Sequence, residues 1–319
     1  MQIHETHHNV PAEARGAVVA LGNFDGVHRG HQALLGAARA RAIEAGRPFA
    51  VIVFEPYPQE YFRPKAEPQR LTIFPTKARF MEALGADFVI VLKFDADLAA
   101  MSAQDFVMQI LIGDLDVTHV VVGGDFRFGK GRGGDAFVLA YMGEMEGFGV
   151  TVFPPLPADG GGKISSSRIR TALRDGRPDE AARLLGHCWS VQGIVAHGDK
   201  RGRTLGYPTA NLTMEGLLQP AFGIYAVRAH VAGRRYGGVA NFGRRPMFEV
   251  ATPLFEVFLF DFSGEIYGEI LQAELVAYLR PDERFDSLEA LKAQLALDCA
   301  KAKMLLAATP PPGLFPSTG

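Results

Sequence analysis

Gly22-Asn23-Phe24-Asp25-Gly26-Val27-His28-Arg29-Gly30-His31 leaves the apolar run Ala17–Leu21 and enters His31–Gly46, where Leu34, Leu35, Ala38, Ala42 and Ile43 recur at helical spacing. A strand, a glycine-rich turn and a helix therefore follow one another. Further apolar, β-branched runs stand at Phe49–Phe54, Phe88–Leu92, His119–Gly123 and Val150–Phe153. Strands that read as continuous apolar runs suit a sheet covered on both faces. Helices are predicted between them at Pro75–Leu84, Ala103–Gly113 and Asp135–Glu146. This alternation predicts an α/β fold with a doubly wound parallel sheet. Ligands of such sheets bind beyond the carboxyl ends of the strands, where the decapeptide lies.

The texture changes farther along. A Pro- and Gly-rich loop, Pro154–Lys163, precedes two short helices near Ser167–Leu173 and Pro178–Leu185. After Gly186, strands are predicted at Trp189–Ala196, Gly223–Val231, Arg235–Asn241, Leu254–Phe260 and Ile266–Val276 with no helix between them. That predicts an all-β antiparallel barrel or sandwich. One long helix, Asp286–Leu306, follows, with Leu288, Leu291, Leu295 and Cys299 on a stripe. The expected organisation is a first domain over 1–186, a second over 187–308 and a disordered Pro-rich tail over 309–319.

The 319 residues suit two domains, and 48% apolar against 21% charged residues gives each a core. A net charge of −2 provides no electrostatic footprint for nucleic acid. There is no apolar run long enough for a membrane span, and the N-terminus lacks the basic-then-apolar layout of a signal peptide. Cys188 and Cys299 are the only cysteines. They form neither a disulfide framework nor a zinc pattern and read as reduced thiols in a cytoplasmic protein.

The first chemistry-bearing segment is the decapeptide. A helix start offers N–H groups and a positive dipole end to a phosphate. Gly22, Gly26 and Gly30 let backbone approach a ligand. His28 and His31 can face one way across the first turn and donate to a pentavalent phosphorus transition state. No general base is needed if the attacking group is already an anion. Metal binding by this pair ranks lower, because no carboxylate or third His stands at ligand spacing. The other histidines, His7-His8 included, are read as surface or core. Ile164-Ser165-Ser166-Ser167-Arg168-Ile169-Arg170 pairs a serine helix cap with two cations that can neutralise a triphosphate. The plain alternative is an N-cap with solvated arginines.

The second segment is Gly198-Asp199-Lys200-Arg201-Gly202-Arg203-Thr204-Leu205-Gly206-Tyr207-Pro208-Thr209-Ala210-Asn211. Gly198, Gly202 and Gly206 with Lys200, Arg201 and Arg203 read as a phosphate loop. Thr209 and Asn211 share a face of an extended backbone and offer oxygen ligands to Mg²⁺. A basic surface loop with a Pro turn is the alternative. Glu256 stands in the otherwise apolar Leu254–Phe260, so it is either paired with an Arg or placed to act on a hydroxyl.

The chain resembles the bacterial bifunctional riboflavin kinase/FMN adenylyltransferase (FAD synthetase) family. GNFDGVHRGH and ISSSRIR are similar to its nucleotidyltransferase motifs. Val122–Asp135 resembles the segment lining its flavin and adenine sites, and GYPTAN resembles its kinase motif. Glu265–Glu269 and Tyr278–Leu291 resemble its later segments. The likeness spans Val18 to Leu306.

It implies an N-terminal nucleotidyltransferase domain and a C-terminal β-barrel kinase domain with a final helix. It implies phosphorylation of riboflavin to FMN by ATP, then adenylylation of FMN to FAD with release of pyrophosphate. By the same likeness, His28 and His31 steady the reacting phosphates. Gly22, Asn23, Phe24, Asp25, Gly26, Gly30 and Asp125 seat nucleotide. Ser166, Ser167 and Arg168 grip the triphosphate. Gly198, Lys200, Gly202, Arg203, Gly206 and Pro208 belong to the second nucleotide site, and Arg280 to a loop near the flavin. Thr209 and Asn211 bind Mg²⁺, which is expected at both sites, and Glu256 activates the ribityl hydroxyl. Three departures stand out: Ser167 for a Thr, Tyr57 for a His, and the segment NFGRRPMFEV.

The expected partners are riboflavin, FMN and ATP, with no nucleic acid and no membrane. The oligomeric state stays open between a monomer and a transient homo-oligomer. The rival readings are a nucleotidyltransferase for another acceptor and a flavin-binding regulator without catalysis.

Overall fold

Six parallel strands make the first sheet. They are β1 (Gln2–His4), β2 (Val18–Leu21), β3 (Phe49–Glu55), β4 (Phe88–Lys93), β5 (His119–Gly123) and, after a small hairpin of β6 (Arg127–Phe128) and β7 (Gly134–Asp135), β8 (Gly149–Phe153). Their order is β1-β4-β3-β2-β5-β8. Every residue of β2 and all but the last of β3 are buried, as strands covered on both faces must be. The chain steps from β2 outward to β3 and β4, then returns to lay β5 on the other side of β2. That reversal opens a crevice at the carboxyl ends of β2 and β5. β1, only three residues long, carries too little pattern to be read from sequence.

This computed structural model describes residues 1–196, 207–214, 216–244 and 253–310. The chain divides into two compact units. Met1–Glu67 and Thr72–Ser165 form one, and Pro68–Leu71 and Ser166–Gly319 form the other.

In the first unit the helix Arg29–Ala45 buries Leu34, Leu35, Ala38 and Ala42 and packs on β2, β3 and β5. It stops at Gly46, whose φ of 61° is a left-handed cap. Ile43, expected on the apolar stripe, lies outside it and is 70% exposed. The helix predicted over Ala103–Gly113 begins as one turn, Ala103–Asp105, and widens into a π-helix, Phe106–Asp114. Phe106, Val107, Ile110 and Leu111 of this segment are buried in the core.

In the second unit an antiparallel sheet comprises β9 (Ser190–Ile194), β10 (Thr209–Leu212), β11 (Gly223–Val231), β12 (Arg234–Arg244), β13 (Pro253–Leu259) and β14 (Ile270–Arg280). The order β10-β13-β12-β11-β14-β9 leaves the first two strands of the unit at opposite edges. Just beyond β9, Ala196 donates its N–H to the Asn211 carbonyl at 3.0 Å, so the edges meet and the sheet closes as a barrel. Two irregularities between β11 and β14, at Ile224/Tyr225 and Ala226/Val227, bend the ladder as bulges do. The strand expected over Ile266–Val276 instead runs Ile270–Arg280. Tyr267-Gly268 forms a turn, with Gly268 at φ 82°.

The helix Leu288–Ala308 is capped by Ser287, whose Oγ accepts the Ala290 N–H at 3.1 Å. Its packing face differs from the expected stripe: Leu288 is half exposed, while Ala302, Cys299, Leu305 and Leu306 meet Ile224, Ala226, Val239, Phe260 and Leu279. Buried Arg228 of β11 donates to the Leu306 and Thr309 carbonyls at the helix end. The expected tail begins at 309, and its residues 311–319 lie outside the described residues.

Several contacts tie residues 68–71 into this unit. Trp189 Nε1 donates to the Leu71 carbonyl (2.7 Å), Arg170 Nε to Gln69 (2.7 Å), and Leu218 N–H to Arg70 (2.8 Å).

Candidate active sites

The decapeptide leaves the carboxyl end of β2, beside the crevice. Its turn is held in an unfavourable backbone conformation: Phe24, Gly26 and Val27 all have positive φ, at 49°, 84° and 40°. For a β-branched valine that is an outlier, and such conformations persist only where surroundings impose them. Here Phe24 and Val27 are buried. Thr72 clamps the turn. Its Oγ1 accepts the Gly26 N–H at 2.8 Å, and its own N–H donates to Asp25 Oδ1 at 3.1 Å. Gln32 Nε2 donates to the Val27 carbonyl at 2.7 Å. Asp25, expected at the nucleotide, is buried and directs its carboxylate to Thr72.

His28 is the N-cap of the helix, and its Nδ1 accepts the His31 N–H at 3.2 Å. A backbone N–H can only donate, so Nδ1 carries a lone pair and the neutral ring has its proton on Nε2. The His31 ring stacks on His28, with centroids 3.5 Å apart and planes at 13°, and Phe24 meets His31 edge-on at 5.3 Å. A side chain at Gly30 would place its Cβ 3.2 Å from His28 Cε1 and Nδ1, so glycine leaves the ring its seat. Asn23 Oδ1 is buried and has no hydrogen-bond partner among the described residues. Gly22 and Gly26 flank it in the turn.

Asp125 follows the carboxyl end of β5, the other strand flanking the crevice. Lys163 Nζ lies 2.9 Å from Asp125 Oδ2, and this hydrogen bond holds the carboxyl below its ordinary pKa. Tyr57, standing where the family's His was expected, occupies the N-cap position of the short helix Pro58–Phe62 without a side-chain capping bond. Nearby in sequence, Glu55 ends β3 and accepts from the buried Lys77 Nζ at 3.0 Å.

Ser166, Ser167 and Arg168 open the helix Ser166–Arg174 of the second unit. Arg168 pairs through Nε and Nη2 with Glu180 Oε1 at 3.2 Å, and Glu180 is also held by Arg177.

In the barrel, register decides which side chains meet. Asn211 of β10 faces Glu256 of β13, which in turn faces Asn241 of β12. Directly opposed residues share a face, so the three polar groups form a row across three strands. Thr209 faces Phe258, two positions along β13, and therefore joins the same face. Phe255, Val257 and Leu259 point the other way, into the core. Asn211 and Asn241 each bury an Oδ1 with no partner among the described residues. An acceptor so placed can take a hydrogen bond or coordinate a cation.

Asn241 was not among the expected residues. Its place follows from sheet register alone, since β12 also contains Arg234, Arg235 and Arg244 and so offers no lone polar residue in the sequence. Pro208 precedes β10, next to Tyr207, whose ring packs on Phe258 at 5.1 Å. Gly198, Lys200, Gly202, Arg203 and Gly206 lie outside the described residues. Arg280, expected near the flavin, ends β14 with its guanidinium on Asp298, at 3.1 Å from Nε and 2.8 Å from Nη2. Asp298 is buried on the last helix, so this pair fastens helix to barrel.

Both units match known families. The FAD synthetase family model matches residues 10–168 and the riboflavin kinase model residues 185–306. The bifunctional riboflavin kinase/FMN adenylyltransferase of Escherichia coli (strain K12) is 40% identical over 306 residues, 96% of this chain and 97% of the relative. That of Pseudomonas fluorescens is 42% identical, covering 96% and 98%. That of Bacillus subtilis (strain 168) is 39% identical, covering 95% and 96%. A crystal structure from Streptococcus pneumoniae, named as a macrolide-efflux protein, superposes with a TM-score of 0.84 at 32% identity, over 94% of this chain and 98% of that one. Among the described residues of this chain, no helix is long and apolar enough to cross a membrane.

Proposed function

The chain belongs to the bifunctional riboflavin kinase/FMN adenylyltransferase family, and from that premise we infer how its two sites divide the work. The protein phosphorylates riboflavin to FMN with ATP and adenylylates FMN to FAD with a second ATP. We assign adenylyl transfer to residues 1–186 and phosphoryl transfer to residues 187–308. By motif, the start of the helix Ser166–Arg174 serves the first reaction, although that helix packs with the second unit.

In adenylyl transfer the nucleophile is a phosphate oxygen of FMN, already anionic. It attacks the α-phosphorus of ATP, and the bond to the β-phosphate oxygen breaks to release pyrophosphate. No proton has to be removed. What the step requires is stabilisation of charge on phosphorus. His28 supplies it from Nε2–H, with its tautomer set by the His31 amide and its ring braced by the His31 ring. Gly22, Asn23, Gly26 and Gly30 bring backbone to the nucleotide, Asp125 orients it, and Ser166, Ser167 and Arg168 bind phosphate oxygens.

In phosphoryl transfer the nucleophile is a neutral ribityl hydroxyl. Glu256 accepts its proton as the oxygen bonds to the γ-phosphorus and ADP departs. Mg²⁺ neutralises nucleotide phosphate when bound, and the buried Asn211 Oδ1 fits a hard, oxygen-seeking ion. Thr209 and Asn211 would hold it. Gly198, Lys200, Gly202, Arg203 and Gly206 supply the phosphate loop by resemblance, and Arg280 acts by keeping β14 on the last helix. The protein works as a cytoplasmic enzyme.

The observation that carries this reading is that each unit holds its own cluster: a His-capped helix start without a base in one, and an acid between two amides in the other. A time course with riboflavin as sole flavin tests it. FMN should rise first and FAD follow; FAD formed without any detectable FMN would sink the two-site account.

A further inference from the structure

One polar cluster of the first unit takes no part in either reaction. His7, His8 and Asp114 bring three ligand atoms within 4.8 Å of one another. His7 Nδ1 lies 2.6 Å and His8 Nδ1 3.3 Å from the same atom, Asp114 Oδ2. Neighbouring residues on a strand point to opposite faces. Here the chain turns after β1, with Asn9 at φ 54°, and both imidazoles fall on one side, their ring centroids 3.8 Å apart.

Asp114 is the last residue of the π-helix. A carboxylate is disfavoured at a helix C-terminus, where carbonyl dipoles already gather negative charge. Arg15 answers the carbonyls directly, donating to Gly113 and Asp114. The carboxylate is left to the two imidazoles. Two imidazoles and a carboxylate converging on one point form a borderline-soft donor set, which favours late first-row divalent ions over Mg²⁺.

We propose that His7, His8 and Asp114 bind a late first-row divalent transition ion, Zn²⁺ foremost, at a site separate from both active centres. Bonds of about 2.0–2.2 Å to a tetrahedral ion set its donor atoms roughly 3.4 Å apart. The His8–Asp114 separation already matches, and the His7–Asp114 contact opens by less than about 1 Å as the ion displaces the shared proton. The His8 side chain is 66% exposed, so solvent completes the coordination sphere. The bound ion staples the turn after β1 to the end of the π-helix.

The test is calorimetric titration of the full-length protein with Zn²⁺ in excess Mg²⁺, which fills hard-cation sites, with Co²⁺ absorption as a second probe. One equivalent should bind, and the H7A/H8A variant should lose at least about tenfold in affinity. D114A should lose as much; if it misfolds, H7Q/H8Q, altered only in the turn, replaces it. FMN and FAD formation should stay unchanged in H7A/H8A, and Zn²⁺ binding should survive in H28A/H31A. Absence of Zn²⁺ binding in the wild type, undiminished binding in H7A/H8A, or its loss in H28A/H31A would each overturn the proposal.

Discussion

The two reactive clusters differ in what builds them. The first is local: residues 22–32 form a strained turn and a helix start, and its key tautomer is set by a hydrogen bond three residues long. The second is assembled from distance: Asn211, Asn241 and Glu256 come from three strands and meet only through sheet register. The difference follows the chemistry. An anionic phosphate nucleophile needs only donors aimed at phosphorus, which one helix start can present. A neutral hydroxyl needs an acid–base group kept beside oxygen ligands, and a rigid ladder of strands holds that spacing.

The contrast is sharpest at Glu256. Replacing it with Gln keeps the shape and removes the base, so FMN formation should fall by about 10²–10⁴-fold, while FAD formation from supplied FMN stays within about twofold. Chromatographic rates for each step measure this. A parallel loss of both activities in folded protein breaks the division of labour.

The reciprocal change, His28→Ala, removes one donor to the transition state. FAD formation should drop by about 10²–10³-fold in kcat, with FMN formation unaffected. Retained adenylyl transfer would show that the His-capped helix start is architecture alone.

Asp298→Ala strips Arg280 of its buried partner. Leaving one member of a buried pair alone costs about 3–5 kcal/mol, so calorimetry should show the barrel unit melting earlier while the first unit is unmoved. A single unchanged transition would contradict the role given to Arg280.

The smallest effect is at Asp125. Because Lys163 depresses its folded pKa, the pair contributes stability above the unfolded pKa and loses it as pH falls through the folded value. The carboxylate is 80% exposed, so the energy is slight. Carbon NMR should place its midpoint below the ordinary Asp value, and Lys163→Ala should raise it. An unmoved midpoint discards the pairing.

This local-versus-distant contrast also explains what the sequence revealed. The parallel sheet was legible because strands buried on both faces read as unbroken apolar runs, and the decapeptide because its chemistry is contiguous. Glu256 stood out as an acid in an apolar strand. Asn241 went unnoticed since its partners lie across two strand pairings, which no spacing in the chain encodes. Thr72 was missed for the same reason: its clamp on Gly26 spans 46 positions. The packing stripe of the last helix was misread in part: Cys299 packs as expected, but Asp298, Ala302, Leu305 and Leu306, rather than Leu288, supply the rest of the face. The widening into a π-helix escaped because the buried positions 106, 107, 110 and 111 repeat as they would in an ordinary helix.

Residues 68–71 add a practical corollary. The barrel unit borrows them from the middle of the first half's sequence, where they accept the Trp189 indole, the Arg170 side chain and the Leu218 amide. A fragment started at residue 166 would therefore lack the carbonyls to which the Trp189 indole, the Arg170 side chain and the Leu218 amide donate. The halves are interleaved along the gene, so swapping one for a homologue's demands grafting that tetrapeptide too, and splitting the enzyme by simple truncation sacrifices part of the piece one meant to keep.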